Sequence, residues 1–165
     1  CHLGAEAEIA LKINKDIPVK EGGYLNKEEI LPYLKEVMVA LEIVDDRNAG
    51  SNITFEKLVA QNSMNNGCVL GEPVEIDLMC LDSLQGKLIV SGKEFGRGIG
   101  KNVLQHPLNS VLYLVNNLIK RGRSLYAGDV VLTGSISTTC WPIHGDKVEA
   151  HIDMLNSVSF NVISI

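Results

Sequence analysis

Two glutamates near the start of the chain, Glu6 and Glu8, are the residues whose type and spacing could do chemistry. They lie two positions apart in an apolar run of strand-forming residues, and side chains at positions i and i+2 of a strand point to the same face. Two carboxylates on one face repel each other, and burying them is costly unless a cation neutralises them. A further acid in a second apolar run, residues 39–45, could complete a site made of oxygen ligands alone. Such a site suits Mg²⁺, Mn²⁺ or Ca²⁺ better than Zn²⁺.

The glutamate pair also has an ordinary explanation. A Glu-x-Glu pattern is common on the solvent-facing side of a half-exposed strand, and short motifs of this kind are weakly specific. Spacing alone therefore favours a solvent-exposed strand face, and the interpretation as a metal site needs further support.

Length and composition indicate one soluble globular domain over residues 1–165. The chain is 45% hydrophobic and 21% charged, and it is long enough to bury a core. Its formal net charge of −5 and the absence of a Lys/Arg cluster argue against a nucleic-acid partner. No segment approaches the length of a membrane span, and no secretory signal is visible.

The four cysteines are widely spaced and include no Cys-x-x-Cys pair. This argues against a zinc site or a disulfide framework and favours reduced thiols in a cytoplasmic protein. The chain has no initiator methionine and begins almost directly with the glutamate-bearing run. We therefore expect a native N-terminal segment to be missing, and any residue that it contributes to the site lies outside this sequence.

In the first half of the chain, two apolar runs predict the strands that carry the acids. Residues 5–13 predict the first strand, and residues 37–44, which are rich in β-branched side chains, predict the second. Between them, the capping-box pattern of residues 26–29 predicts a helix from Lys27 to about Glu36. Because Pro32 lies inside this span, a kinked helix or one that starts later is the alternative.

The second half of the chain is predicted to be mostly β. Residues 74–81 and 87–91 predict a pair of strands, and Pro107 predicts the first turn of a long amphipathic helix that ends at Gly122. The remaining predicted elements are a short helix over residues 55–61 and strands at 130–134, 147–152 and 157–163. Because helices and strands do not alternate regularly, the pattern indicates an α+β fold with a β-rich core.

Three further motifs each allow a functional and an ordinary structural interpretation. Residues 96–100 lack the last glycine of G-x-G-x-x-G, since position 101 is lysine, so a glycine-rich bend is favoured over a dinucleotide loop. His106 precedes the long helix, and a capping or packing role is favoured over a substrate contact. Residues 129–135 end in Thr-Gly-Ser, where Gly134 could let a backbone N–H approach a ligand and Ser135 could bond a carboxylate. On spacing alone, an ordinary turn is favoured there.

Five segments, taken together, resemble the 2-hydroxypentadienoate (2-keto-4-pentenoate) hydratase family of the fumarylacetoacetase superfamily. They occur in family order over nearly the whole chain, and this order is more specific than any one of them. The segments are residues 6–10, 40–47, 69–71, 104–111 and 127–135. The resemblance implies an α+β fold, a β-rich mixed β-roll or sandwich of the fumarylacetoacetase C-terminal-domain type with a few flanking helices.

The resemblance also implies that Glu6, Glu8 and Glu42 bind a divalent metal, usually Mg²⁺ or Mn²⁺. The implied substrate is a small 2-hydroxy-2,4-dienoate, whose carboxylate and enol oxygens can both bind one cation. The implied reaction moves a proton to the distal carbon and adds water to the conjugated end, which gives a 4-hydroxy-2-oxo acid. The metal would act as a Lewis acid on the 2-oxo group. Relatives of this kind act in the breakdown of aromatic compounds and usually form homo-oligomers.

Local details favour a hydratase over related activities. Decarboxylases of 4-oxalocrotonate tend to have Thr-Gly-Gly where this chain has Thr-Gly-Ser at residues 133–135. Fumarylacetoacetase-type C–C hydrolases and acylpyruvases have a lysine that is absent from residues 60–67, and a Thr-Gly-Thr-Pro motif that is also absent.

The chain departs from the hydratases at one loop. Many of them have Ala-Asp-Asn-Ala-Ser at residues 60–64, where this chain has Ala-Gln-Asn-Ser-Met. Asn62 and Ser135 are carried over as the candidate substrate-binding residues. The resemblance places the general-base lysine and its partner acid upstream of Glu6, so the chain alone is expected to bind metal with little turnover. The alternatives are a 4-oxalocrotonate-type decarboxylase, a C–C hydrolase or acylpyruvase, and a truncated subunit without catalysis.

Overall fold

The structure, a computed structural model, describes residues 2–19, 23–47 and 53–163. Within these ranges the chain forms strands, α-helices and three short 3₁₀-helices. The strands are β1 Leu3–Ile13, β2 Leu34–Asp45, β3 Asn65–Leu70, β4 Val74–Glu75, β5 Gln85–Val90, β6 Lys93–Ile99, β7 Val130–Ser135, β8 Lys147–Ile152 and β9 Val158–Asn161. The helices are α1 Lys27–Ile30, α2 Phe55–Ala60 and α3 Pro107–Ile119, and the 3₁₀-helices are Leu31–Tyr33, Leu78–Ser83 and Gly100–Asn102.

The strands form two antiparallel sheets. The first has the order β3-β2-β1-β7, with β4 also paired to β2, and the second has the order β6-β5-β8-β9. This sheet-rich architecture with a few helices confirms the predicted fold class. None of the helices in the described part of the chain is long and apolar enough to cross a membrane.

Along strand β1, core side chains alternate with the positions that carry the acids. Its odd-numbered residues, from Ala5 to Ile13, are fully buried in the main core together with the apolar side chains of β2, β8 and α3. Its even-numbered residues therefore lie on the opposite, outer face of the first sheet, as the period of two requires. Glu6 and Glu8 are on this outer face, where Ala10 belongs to a separate small apolar cluster.

Helix α3 confirms the predicted long helix and the capping role of His106. The His106 ring nitrogen Nδ1 accepts a hydrogen bond of 3.1 Å from the N–H of Leu108, and Pro107 occupies the first turn. The helix buries an apolar stripe, and Gly122 follows its last turn with a φ of 66°. The helix thus packs beside β7 and supports the sheet that carries the acids.

The helix predicted from Lys27 to about Glu36 is wrong in its extent. Helix α1 has the predicted capping box but ends at Ile30, and a 3₁₀-helix leads directly into β2. Pro32 has no N–H to continue the α-helical hydrogen bonds. Pairing of Leu34 with Ile13 in the sheet then begins the strand earlier than its apolar run suggests.

The strand pair predicted at residues 74–81 and 87–91 is also wrong. Only Val74–Glu75 forms a strand, because the Asp77 side chain accepts the N–H of Met79 at 2.9 Å and caps a 3₁₀-helix. Strand β5 instead pairs with β6 through a two-residue turn and with β8 on its other side.

Residues 96–100, predicted as a bend, lie in β6 and the 3₁₀-helix that follows it. Gly98 is required there by close packing, since a Cβ atom at this position would lie 1.7 Å from the carbonyl oxygen of Ile136. This contact holds the segment after β7 along β1, where the N–H of Ile136 donates to the carbonyl of Ala7 at 3.0 Å. The same segment continues past the acids on the outer face.

Candidate metal centre

The structure brings the three predicted metal ligands together. Glu6 and Glu8 project from the outer face of β1, and Glu42 lies on β2 directly opposite Glu6 in the strand register. One carboxylate oxygen from each residue lies within 4.8 Å of the others. The arrangement follows from pairing β1 with β2, because cross-strand neighbours lie on the same face of a sheet.

Burial and like charge make this cluster unstable as three bare anions. The Glu8 side chain is 1% exposed, while Glu6 and Glu42 are half-buried. Burial, and then the nearby charges of Glu42 and Glu6, raise the pKa of Glu8 to about 8, against the opposing hydrogen bond from the N–H of Gly134. Near neutral pH, Glu8 therefore retains a proton unless a cation replaces it.

Each carboxylate is also held by one neutral donor from a different part of the chain. The hydroxyl of Thr139 donates to Oε1 of Glu6. The amide Nδ2 of Asn65 donates to Oε1 of Glu42 at 2.7 Å, and the N–H of Gly134 donates to Oε2 of Glu8 at 2.8 Å. Such donors orient carboxylate ligands without neutralising them, so the cluster keeps its negative charge.

The sequence pointed to only one of these three donors. The sequence predicts that the backbone N–H of Gly134 can approach a ligand, and in the structure this N–H donates to Glu8. Thr139 and Asn65 were missed, because nothing in their residue type or spacing distinguishes them from other polar loop residues. Their roles depend on pairing between segments far apart in the chain.

Of the two predicted substrate-binding residues, one lies in the sheet beside the cluster and the other in a turn outside the sheet. Ser135 ends β7 opposite Glu8 in the register, and its hydroxyl donates to the carbonyl of Ser137 at 2.7 Å. Asn62 is exposed in the turn after α2, three residues before Asn65. The structure thus places Ser135 beside the acids and brings Asn65, rather than Asn62, into contact with one of them.

The surroundings of the cluster are apolar on one side and include a thiol on another. Ala10, Met38 and Ala40 form a buried cluster on the outer face next to Glu8, with half-buried side chains of β7 against it. Cys68 lies opposite Glu42 in the register and is exposed. Although the residue is exposed as a whole, partial desolvation of its sulfur, and then the charges of Glu42 and Glu8, raise the pKa of the Cys68 thiol. The thiol therefore stays protonated at neutral pH.

The donor set fits a hard divalent cation. The ligand candidates that lie within reach of one another in the described residues are three carboxylates. Carboxylate oxygens suit Mg²⁺, Mn²⁺ and Ca²⁺. Burial and then the repulsion from Glu42 and Glu6 raise the pKa of Glu8, and a cation at this point would oppose both effects by stabilising its charged form.

Changing Gly134 to alanine is expected to weaken metal binding about tenfold and to lower the free energy of unfolding by about 1–2 kcal/mol. Gly134 has a φ of 117°, which residues with a Cβ rarely adopt, so relaxation of the backbone would move its N–H away from Glu8. Calorimetric titration with Mn²⁺ and thermal unfolding measure the two effects. Gly128→Ala is the matched control, since Gly128 also has a positive φ, 95°, but lies in the turn before β7. A control that loses as much metal affinity as Gly134→Ala would contradict this role of Gly134.

Comparisons with known proteins agree with the fold. Residues 2–163 match the sequence profile of the family described as fumarylacetoacetate (FAA) hydrolase C-terminal. The chain is 35% identical to 2-keto-4-pentenoate hydratase 1 of Dechloromonas aromatica over 160 residues, which cover 93% of this chain and 58% of that protein. It is 30% identical over 159 residues to 2-hydroxyhexa-2,4-dienoate hydratase of Comamonas testosteroni, covering 94% and 58% of the two chains. The chain thus spans a little over half the length of these curated relatives.

Solved structures show the same architecture. The 4-oxalocrotonate decarboxylase of Pseudomonas putida G7, complexed with magnesium and adipate, superposes with a TM-score of 0.86 at 27% identity. This match covers 97% of this chain and 60% of the decarboxylase. Fumarylpyruvate hydrolase of Pseudomonas aeruginosa, in complex with Mn²⁺ and pyruvate, shares the fold with a TM-score of 0.71 at 18% identity, covering 98% and 66% of the two chains. With the profile match over nearly its whole length, the chain belongs to the fumarylacetoacetate hydrolase C-terminal family.

Proposed function

We propose that this chain is the metal-binding catalytic domain of a divalent-metal-dependent hydratase. Its substrate would be a 2-hydroxy-2,4-dienoate, to which water is added to give a 4-hydroxy-2-oxo acid in the breakdown of aromatic compounds. The observation that carries the proposal is the cluster of Glu6, Glu8 and Glu42, with carboxylate oxygens within 4.8 Å of one another. The hydratase names of the curated relatives support the choice of reaction.

The roles of the chain's own residues follow from the geometry of the site. Glu6, Glu8 and Glu42 would hold the cation, Mg²⁺ or Mn²⁺ by preference, because relatives of this fold are complexed with magnesium or Mn²⁺. A divalent cation, when bound, supplies a Lewis acid for the oxygens of a 2-oxo acid. Glu8, which holds a proton near neutral pH, would give it up as the cation binds.

The substrate would lie over the outer face of the first sheet. Ser135, opposite Glu8, is the candidate hydrogen-bond partner for the substrate carboxylate, to which its hydroxyl would donate in place of the carbonyl of Ser137. The buried apolar cluster of Ala10, Met38 and Ala40 borders Glu8 and desolvates that side of the site, which strengthens the attraction between the carboxylates and a cation. Asn62, exposed in the turn after α2, is the candidate for a contact at the rim of the site.

A decarboxylase of a 2-oxo dicarboxylic acid is the second candidate. It is favoured by the TM-score of 0.86 with 4-oxalocrotonate decarboxylase, at 27% identity. Both reactions need a cation held near the oxygens of a 2-oxo acid, so the metal cluster alone does not separate them.

Product analysis separates the two reactions. The chain is incubated with Mn²⁺ and either 2-hydroxypenta-2,4-dienoate or 4-oxalocrotonate, with Mn²⁺ alone as the blank. The proposal predicts 4-hydroxy-2-oxopentanoate from the dienoate, at a low rate because the resemblance places the general base outside this chain. Release of CO₂ from 4-oxalocrotonate without water addition to the dienoate would contradict the hydratase. Assembly as a homo-oligomer and a cytoplasmic location stay predictions.

A further inference from the structure

The turn that joins α2 to β3 has an unusual backbone. Three of its four residues, Asn62, Ser63 and Met64, have φ values of 51°, 53° and 65°. All three lie in the left-handed region, which residues with a Cβ rarely visit and almost never in succession. Strained segments of this kind persist only where surrounding contacts hold them, and they cluster at functional sites.

Besides the backbone hydrogen bonds within the turn, Arg47 supplies two contacts that hold it. Its guanidinium donates from Nη2 to the carbonyl of Asn65 at 2.8 Å, and from Nη1 to the carbonyl of Gln61 at 3.3 Å. The N–H of Asp45 also donates to the carbonyl of Met64 at 2.9 Å. The two ends of the turn are therefore tied to the end of β2, the strand that carries Glu42.

A second irregularity lies at the start of β3. The register pairs Ile43 with Gly67 but Val44 with Asn65, so Asn66 is the extra residue of a β-bulge. In a regular ladder Val44 would face Asn66, and Asn65 would point to the other side of the sheet. The bulge moves Asn65 to the outer face.

The turn and the bulge both determine where the Asn65 side chain lies. Its amide Nδ2 donates to Oε1 of Glu42 at 2.7 Å. An amide donor fixes the orientation of a carboxylate and occupies one of its oxygens, while the other oxygen remains available. Asn65 is half-buried on the outer face and is not among the residues of the main core.

We propose that Asn65 is the positioning residue of Glu42, and that the left-handed turn of residues 62–64, tied down by Arg47, exists to place it. The inference rests on the metal site of the proposed function. It assigns to this loop a role in metal affinity, through Asn65, that is separate from any contact between Asn62 and a substrate. Donors outside the ligand set typically change metal affinity 10–100-fold when removed.

Asn65→Leu tests the proposal, because leucine has nearly the same size and no donor. The matched control is Asn161→Leu, which makes the same change at an exposed residue of β9 in the second sheet, outside the turn, the bulge and the acid cluster. Mn²⁺ alone is titrated into each variant by calorimetry, and the electron paramagnetic resonance spectrum of bound Mn²⁺ reports the ligand geometry. Thermal unfolding without metal gives the purely structural effect of each change, and Asn65→Ala replaces Asn65→Leu if the latter does not fold.

The expected result is Mn²⁺ affinity about tenfold weaker in Asn65→Leu, with an altered spectrum, and unchanged affinity in Asn161→Leu. Equal affinity and identical spectra in both variants would overturn the positioning role while leaving the proposed metal site intact. A wild-type chain that binds no Mn²⁺ would overturn the metal site itself. A lower unfolding temperature with unchanged affinity of the folded protein would show that Asn65 is only structural, and would also overturn the proposal.

Discussion

Replacing Glu8 by glutamine is expected to abolish divalent-metal binding while stabilising the metal-free chain near neutral pH. Glu8 is the most buried of the three acids, and the amide removes one of the charges that the cation would neutralise. The loss of affinity should exceed about 100-fold, since even changes outside the ligand set cost ~10–100-fold. Glutamine can accept the N–H of Gly134 and donate to Glu42 as protonated Glu8 does, but it folds near neutral pH without the cost of taking up a proton.

Calorimetric titration with Mn²⁺ and thermal unfolding in a chelating buffer measure both effects of Glu8→Gln. Glu36→Gln is a suitable control because Glu36 is an acid of the neighbouring strand β2 that pairs with Lys12 at 2.5 Å and lies outside the cluster. The control should bind Mn²⁺ as the wild type does. Metal binding by Glu8→Gln with wild-type affinity would show that the cation lies elsewhere.

Metal affinity is expected to rise about tenfold per pH unit as the pH approaches 8, and then to level off. Burial and the neighbouring acids raise the pKa of Glu8 to about 8 in the folded chain, from 4.5 as its ordinary value. Below pH 8 the cation must therefore displace the proton of Glu8, and about one proton should be released per cation bound. Calorimetry in buffers of different ionisation enthalpy counts the released protons.

The same pKa fixes how the stability of the metal-free chain depends on pH. The folded chain binds the Glu8 proton more tightly than the unfolded chain does, so this contribution to stability is complete below pH 4.5. It is lost as the pH rises to about 8, and saturating Mn²⁺ should restore it. Binding without proton release at pH 6 would contradict the protonated state of Glu8.

The sequence predicted the acids and their strands because both depend on short-range patterns. The period of two placed Glu6 and Glu8 on one face, and the apolar run of residues 37–44 gave the strand with Glu42. The resemblance added the identity of the third ligand, and the structure brings its oxygens to the other two.

The elements that the sequence mispredicts share one cause: pairing and packing between distant segments override the local residue pattern. Residues 74–81 have the composition of a strand, yet only two of them find a partner strand, and the Asp77 cap turns the rest into a 3₁₀-helix. Strand β6 was missed because its glycines suggested a bend, whereas Gly98 is needed for the close approach of Ile136. Asn65 was missed because a bulge, which no local pattern announces, decides the face on which it lies.

The measurement that tests the central claim most directly is calorimetric titration of Mn²⁺ into the wild-type chain, with and without oxalate. Oxalate mimics the paired oxygens of a 2-oxo acid and needs no catalytic turnover. We expect about one Mn²⁺ to bind per chain. Oxalate should strengthen this binding, because it would coordinate the same cation that Glu6, Glu8 and Glu42 hold. No binding, or binding that oxalate leaves unchanged, would contradict the assignment of these three residues to a metal centre for 2-oxo acids.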